Sequence, residues 1–300
     1  MTNTDNPLLA RRTVDSRGVR LAMWEGSRSG PTVIFVHGFP DTHILWEGVI
    51  RRLTTDFHCV AYDVRGAGQS EVPRGRDNYR LAYLIDDLVS VIDTVSPDRP
   101  IHLVGHDWGS IQGWDAVVRE RSDPRLTGRI ASYTSISGPC LDHVRALVMA
   151  AWRGGRTRKR EAFAQARRSW YVLAFQVPVI PELVLRRINR RLIRTRQRGT
   201  YPFADTLPED AAHGVNLYRA NMGSHRPDVH GGPYTDLPVQ LIVPLRDAYV
   251  TPVFYRDIDR FVPDLVRVDL DAGHWVPRTH PDEVANRVAD FVRSQEGRRP

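Results

Sequence analysis

The stretch Val104-Gly105-His106-Asp107-Trp108-Gly109-Ser110 constrains this chain more than any other part of it. Apolar Ile101, Leu103 and Val104 ahead of the turn read as a strand. Ile111, Trp114, Val117 and Val118 behind it recur as a helix would place them over Ser110 to Glu120. A strand that turns sharply between small residues into a helix is the setting of the G-x-S-x-G motif, whose central side chain is presented as a nucleophile. Here the centre is Asp107, in Gly105-His106-Asp107-Trp108-Gly109. A carboxylate in that place can attack carbon and form an ester that is then hydrolysed. The alternative is an aspartate that merely caps the helix beginning at Trp108.

Two more strand ends carry chemistry. Val239 to Val243 reads as a buried strand ending in Pro244-Leu245-Arg246-Asp247, and Leu265 to Leu270 as the next, ending in Ala272-Gly273-His274-Trp275. Asp107, Asp247 and His274 therefore each follow the C-terminal end of a strand, the edge at which open parallel sheets bind ligands. A histidine there can deprotonate water, and a carboxylate can hold its tautomer and stabilise the imidazolium. A fourth strand, Thr32 to Val36, runs into His37-Gly38-Phe39-Pro40.

With Asp63-Val64-Arg65-Gly66-Ala67-Gly68-Gln69-Ser70 added, these motifs resemble the epoxide hydrolase family of α/β-hydrolases over nearly the whole chain. The resemblance implies a mostly parallel sheet flanked by helices with an inserted helical cap, and triad members in the order nucleophile, acid, histidine. It also implies an oxyanion hole from the amides of Phe39 and Trp108, with His37, Pro40, His106, Phe175 and Trp275 around the substrate. Members of the family activate the epoxide oxygen with two cap tyrosines, neutral donors at pH 7. One precedes a Phe-Gln pair by four residues, which is Tyr171 before Phe175-Gln176; the other lies in Asn-x-Tyr-Arg, which is Tyr218 in Asn216-Leu217-Tyr218-Arg219. The activity so implied is hydrolysis of a lipophilic epoxide to a vicinal diol, without cofactor or metal. Haloalkane dehalogenases also carry Asp followed by Trp, but the loop position that is often Asn in them is Phe39 here. Haloalkane hydrolysis and a non-catalytic ligand-binding role stay as alternatives. Gly66-Ala67-Gly68 lacks the third glycine of a dinucleotide site.

Strand–helix alternation lapses between Pro139 and Asp236. The expected organisation is thus a core of 1–138 and 237–300 interrupted by a cap of 139–236. Thr13-Val14 and Val19 to Ala22 read as a paired-strand start. Leu81, Leu84, Ile85, Leu88, Ile92 and Val95 mark a helix from Tyr79 to Ser96. Met1 to Asn6 is polar with no apolar run after it, so a cytoplasmic protein, monomer or homodimer, is the expectation. Cys59 and Cys140 make no disulfide framework.

The charge has no motif to explain it. From Arg145 to Arg198 there are 15 basic residues against Glu161 and Glu182, a net +13, so the chain's +7 leaves −6 elsewhere. No nucleic-acid reading motif accompanies the patch. Val179-Ile180, Leu183-Val184-Leu185, Ile188 and Leu192-Ile193 interleave with the arginines as in a basic amphipathic helix. This allows peripheral contact with an anionic membrane surface beside the simpler expectation of a solvated arginine-rich face.

Overall fold

The computed structural model describes residues 9–187, 203–222 and 232–298. β1 (Ala10–Ser16) and β2 (Val19–Glu25) form the expected antiparallel pair, closed through Arg17 and Gly18, both at positive φ. β3 (Thr32–Val36), α1 (Glu47–Leu53), β4 (His58–Tyr62) and α2 (Leu81–Val95) follow. Next come β5 (Ile101–His106), α3 (Trp108–Arg119) and β6 (Ile130–Ile136). The later elements are α4 (Leu141–Arg153), α5 (Arg156–Arg168), α6 (Trp170–Ala174), α7 (Ile180–Arg186), α8 (Leu207–Asn221), β7 (Val239–Pro244), β8 (Leu265–Leu270), α9 (Val276–Thr279) and α10 (Pro281–Glu296). Between β6 and β7 the described residues form helices and no strand.

The sheet has eight strands in the order β1-β2-β4-β3-β5-β6-β7-β8, parallel from β4 onward. Its middle strands are fully buried along their length, because helices cover both faces. Alternate residues divide between two cores. Ile34, Val36 and Leu103 pack with Leu88 and Ile92 of α2 and Trp114 of α3. Val33, Phe35 and Val104 pack with Val49 of α1 and Val284 and Val288 of α10. The parallel register sets Val36 beside Gly105 and Ile136 beside His106, so the loops after β3, β5 and β6 leave the sheet at one level. β7 and β8 end at that same edge, in register from Val239–Leu265 to Pro244–Leu270.

Candidate active site

Asp107 occupies the turn between β5 and α3 with φ 52° and ψ −120°. That left-handed conformation is costly for a residue with a Cβ, and it turns the side chain away from both strand and helix. Close approach makes the turn possible. A Cβ at Gly109 would strike the Val36 carbonyl, and one at Gly38 the Asp107 carboxylate. Asp107 does not cap α3: its carboxylate accepts neither the Gly109 nor the Ser110 amide, the ones a capping side chain would take. Its Oδ1 instead accepts the Phe39 amide at 2.7 Å, and the Trp108 amide also donates to the carboxylate. Burial pushes the carboxyl up to about 6, against the pull of His274 and of these two amides.

His274 stands behind it, with Nε2 3.7 Å from Asp107 Oδ2 and Nδ1 2.8 Å from Asp247 Oδ2. Oδ1 of Asp247 accepts the amides of Tyr249 (2.8 Å) and Val250 (2.9 Å), which fixes the carboxylate in its loop. Burial works against the charge on Asp247, but His274 and those amides hold its carboxyl below the usual range. Burial likewise works against a charged His274, yet Asp247 and then Asp107 carry the imidazole above the ordinary histidine value. The backbone of His274 is held in turn by His106, whose Nε2 donates to the His274 carbonyl at 2.8 Å.

Tyr171 on α6 and Tyr218 on α8 meet above the carboxylate. Their rings are edge-on with centroids 5.8 Å apart, and their hydroxyls are hydrogen-bonded. Tyr218 also packs edge-on against Trp108 (5.0 Å), Phe175 (5.0 Å) and Phe39 (5.4 Å). Burial, and then the Asp107 charge, push both phenols well up, so both stay protonated. Neighbours on α8 set their spacing. Arg219 donates to the carbonyls of Phe175 (2.7 Å) and Val177 (2.6 Å) and pairs with Glu182. Asn221 accepts the Leu81 amide (2.9 Å) and donates to the Tyr79 carbonyl (2.8 Å), pinning α8 to the start of α2.

A cavity of about 990 Å³ opens over Asp107 and His274, lined among others by Phe39, Pro40, Phe175, Tyr171, Tyr218 and Trp275. Two residues expected around the substrate do not reach it. His37 is buried behind the loop, where its Nε2 accepts the Val64 amide at 2.9 Å. His106 precedes the turn and points below it, toward the His274 carbonyl. Both brace loops, because successive residues at a strand end face opposite ways. Tyr249 was not foreseen: it lines the cavity, with its ring 5.0 Å from that of His274 and 5.8 Å from that of Tyr171. Its only sequence signal was its place two residues past Asp247. Gln165 on α5, buried, anchors the same loop by donating to the Tyr249 carbonyl (2.8 Å) and accepting from Thr251 Oγ1 (2.5 Å).

The profile of the family described as alpha/beta hydrolase fold matches residues 31–281. The chain is similar to a protein named "Probable oxidoreductase EphD" in Mycobacterium tuberculosis, 41% identical over 304 residues covering 96% of this chain and 50% of that protein. It is also similar to the "Epoxide hydrolase A" of that organism, 28% identical over 330 residues, 94% of this chain and 96% of the relative. Among solved structures, an epoxide hydrolase of Bacillus megaterium in complex with an inhibitor superposes with a TM-score of 0.75 at 24% identity. That match covers 94% of this chain and 100% of the other, a likeness of fold. The chain spans about half the length of the EphD relatives.

Proposed function

The chain belongs to the α/β-hydrolase fold family, and from that premise we propose that it is an epoxide hydrolase working through an ester on Asp107. The observation that carries the reading is a carboxylate at the elbow, backed by a His–Asp pair and facing two buried, protonated phenols. A serine at that position would suit esters. An aspartate attacking an ester would give a mixed anhydride, whereas its attack on a strained ether carbon gives an ordinary ester.

In the first half-reaction Asp107 Oδ2 attacks one epoxide carbon and the carbon–oxygen bond of the ring breaks. Tyr171 and Tyr218 hydrogen-bond the ring oxygen, and one of them delivers its proton to the nascent alkoxide. In the second, His274 takes a proton from water and hydroxide adds to the Asp107 carbonyl carbon. The oxyanion is held by the amides of Phe39 and Trp108. Collapse expels the diol oxygen, which takes the proton held by His274, and the proton left on the Asp107 carboxyl returns to the tyrosinate, so that carboxylate, imidazole and phenol are all regenerated. Asp247 keeps His274 in the tautomer this requires. We assign residues 139–236, with both tyrosines, to a cap over a core of 1–138 and 237–300. The apolar lining of the cavity, with Phe39, Phe175 and Trp275, suits a lipophilic epoxide.

The test is a single turnover in heavy-oxygen water with enzyme in excess. The first diol should carry no label, because its new oxygen comes from Asp107, and the label should enter the carboxylate. Label in that first diol would mean direct attack by water. Faster turnover of 1-bromoalkanes than of any epoxide would assign the phenols some other task.

A further inference from the structure

Large apolar side chains at a protein surface ordinarily stand singly. Here 16 are exposed among the described residues, and 11 of them fall between Val148 and Val184, so this surface is concentrated on α4 to α7 and their connections. Trp152 (77%), Leu173 (76%), Trp170 (67%) and Phe163 (66%) are the most open. Four of the 11, Trp170, Val177, Ile180 and Val184, also line the cavity that leads to Asp107; they form its mouth. Exposed Arg167 and Arg168 line the same mouth, so guanidinium groups and apolar side chains share one rim.

Charge follows the apolar surface. From Arg145 to Arg187 there are ten basic residues, all exposed, against two acids. Neither acid neutralises them: Glu161 pairs with Arg256 and Glu182 with Arg219. Among the described residues only Arg158, with Asp257, and Arg186, with Glu209, have carboxylate partners. Eight cations between Arg145 and Arg187 thus have no carboxylate partner among the described residues, and two of them, Arg167 and Arg168, line the mouth.

We propose that this face of α4–α7 docks on an anionic lipid bilayer and sets the cavity mouth against it. Cations interleaved with Trp, Phe and aliphatic side chains fit anionic headgroups over acyl chains. A nucleic acid would meet the charge and the rings of Trp152, Phe163 and Trp170, but it would leave the seven exposed aliphatic side chains from Val148 to Val184, which acyl chains would cover, in water. Among the described residues no helix is long and apolar enough to cross a membrane. The consequence, entry of a lipophilic epoxide from the bilayer toward Asp107, rests on the proposed function. Docking itself is measured without substrate, so the two can fail separately.

The experiment is sedimentation of the full chain with vesicles of phosphatidylcholine alone and with about a third phosphatidylglycerol. Binding is expected on the anionic vesicles only, and should be lost near 1 M salt, where screening acts within about 3 Å. Each arginine near such a surface is worth about fivefold in partition. The triple change Arg153→Gln, Arg156→Gln, Arg160→Gln should therefore weaken binding about a hundredfold. Trp152→Ser, Phe163→Ser and Leu173→Ser together should abolish quenching of tryptophan by brominated acyl chains. None of these six lines the cavity, so hydrolysis of a small water-soluble epoxide should be unchanged in both variants. Equal binding to neutral and anionic vesicles would overturn the proposal, and so would none to either. A concentration-dependent dimer that buries the patch without vesicle binding would assign the surface to a second copy of the chain instead.

Discussion

Replacing His274 by glutamine tests how the site governs the charge on its nucleophile. Alkylation requires the carboxylate form of Asp107, and burial pushes that carboxyl up to about 6. With such a value about nine-tenths of it is ionised at pH 7 and about a tenth at pH 5. The rate of ester formation should therefore fall about tenfold between the two. An aspartate at its ordinary value near 4 would lose almost nothing over that interval. His274, 3.7 Å away, is the largest influence opposing burial. An opposite charge at such a distance lowers a carboxyl by about 1–3 pH units. In His274→Gln the acid limb of alkylation should thus move upward by about that amount. The variant is also convenient, because without its base the ester should accumulate. Rapid-quench single turnovers read by intact mass would follow alkylation against pH in both proteins. A limb near pH 4 in the native chain would refute the reasoning, and so would one that moves down in the variant.

Tyr171→Phe or Tyr218→Phe alone should retain part of kcat/KM, while the pair together should lose on the order of 10²–10⁴; near-normal epoxide opening by the double variant would remove the phenols from the chemistry. Asp247→Asn should leave alkylation largely intact and slow ester hydrolysis by on the order of 10⁴, the penalty for a histidine held in the wrong tautomer, so trapped ester in pre-steady-state mass spectra is the readout. Asp107→Asn should stabilise the protein: a carboxyl whose folded value is raised to about 6 binds its proton more tightly when folded. The native chain then loses up to about 3 kcal/mol relative to the variant as pH rises from about 4 to 6, with a constant gap above and none below. Denaturant unfolding at pH 4 and pH 8 measures both ends.

Much of the site was legible because its geometry is built from local signals. The elbow needs small residues where α3 crosses β3, and Gly105 and Gly109 bracket Asp107 in the sequence as in space. β7, a buried apolar run, and β8, a partly exposed edge strand, both fell within a residue of where the sequence put them. The helix after the elbow begins at Trp108 rather than Ser110, since the sharp turn at Asp107 leaves no room for a looser start. Contacts set by folding over long separations were not legible. Nothing local tells that Arg278 is buried against Asp41 at 2.6 Å and beneath the Phe203 ring, or that Tyr249 turns into the cavity. His37 and His106 were misassigned because a motif gives position in the chain but not which side of the sheet edge a ring takes. The apolar and basic stripe read from Val179 to Ile193 is a helix over Ile180–Arg186; its continuation, from Ile188 through Arg198, lies outside the described residues.

The two proposed half-reactions make opposite demands on the site, and the charge on Asp107 reconciles them. While the carboxylate is free its charge raises His274 and keeps both phenols from ionising. The acids are then loaded, which is what ring opening requires. Ester formation removes that charge. His274 loses one of the two carboxylates that raise it and moves toward the neutral form able to accept a proton from water. The phenols lose a repulsive neighbour just as one of them gives its proton to the alkoxide. The carboxylate oxygens divide the labour as well. Oδ2 lies on the His274 side at 3.7 Å and attacks, while Oδ1 already receives the Phe39 amide at 2.7 Å. The oxygen that becomes the oxyanion is therefore seated among its donors before water adds, and the second step calls for no rearrangement to stabilise it.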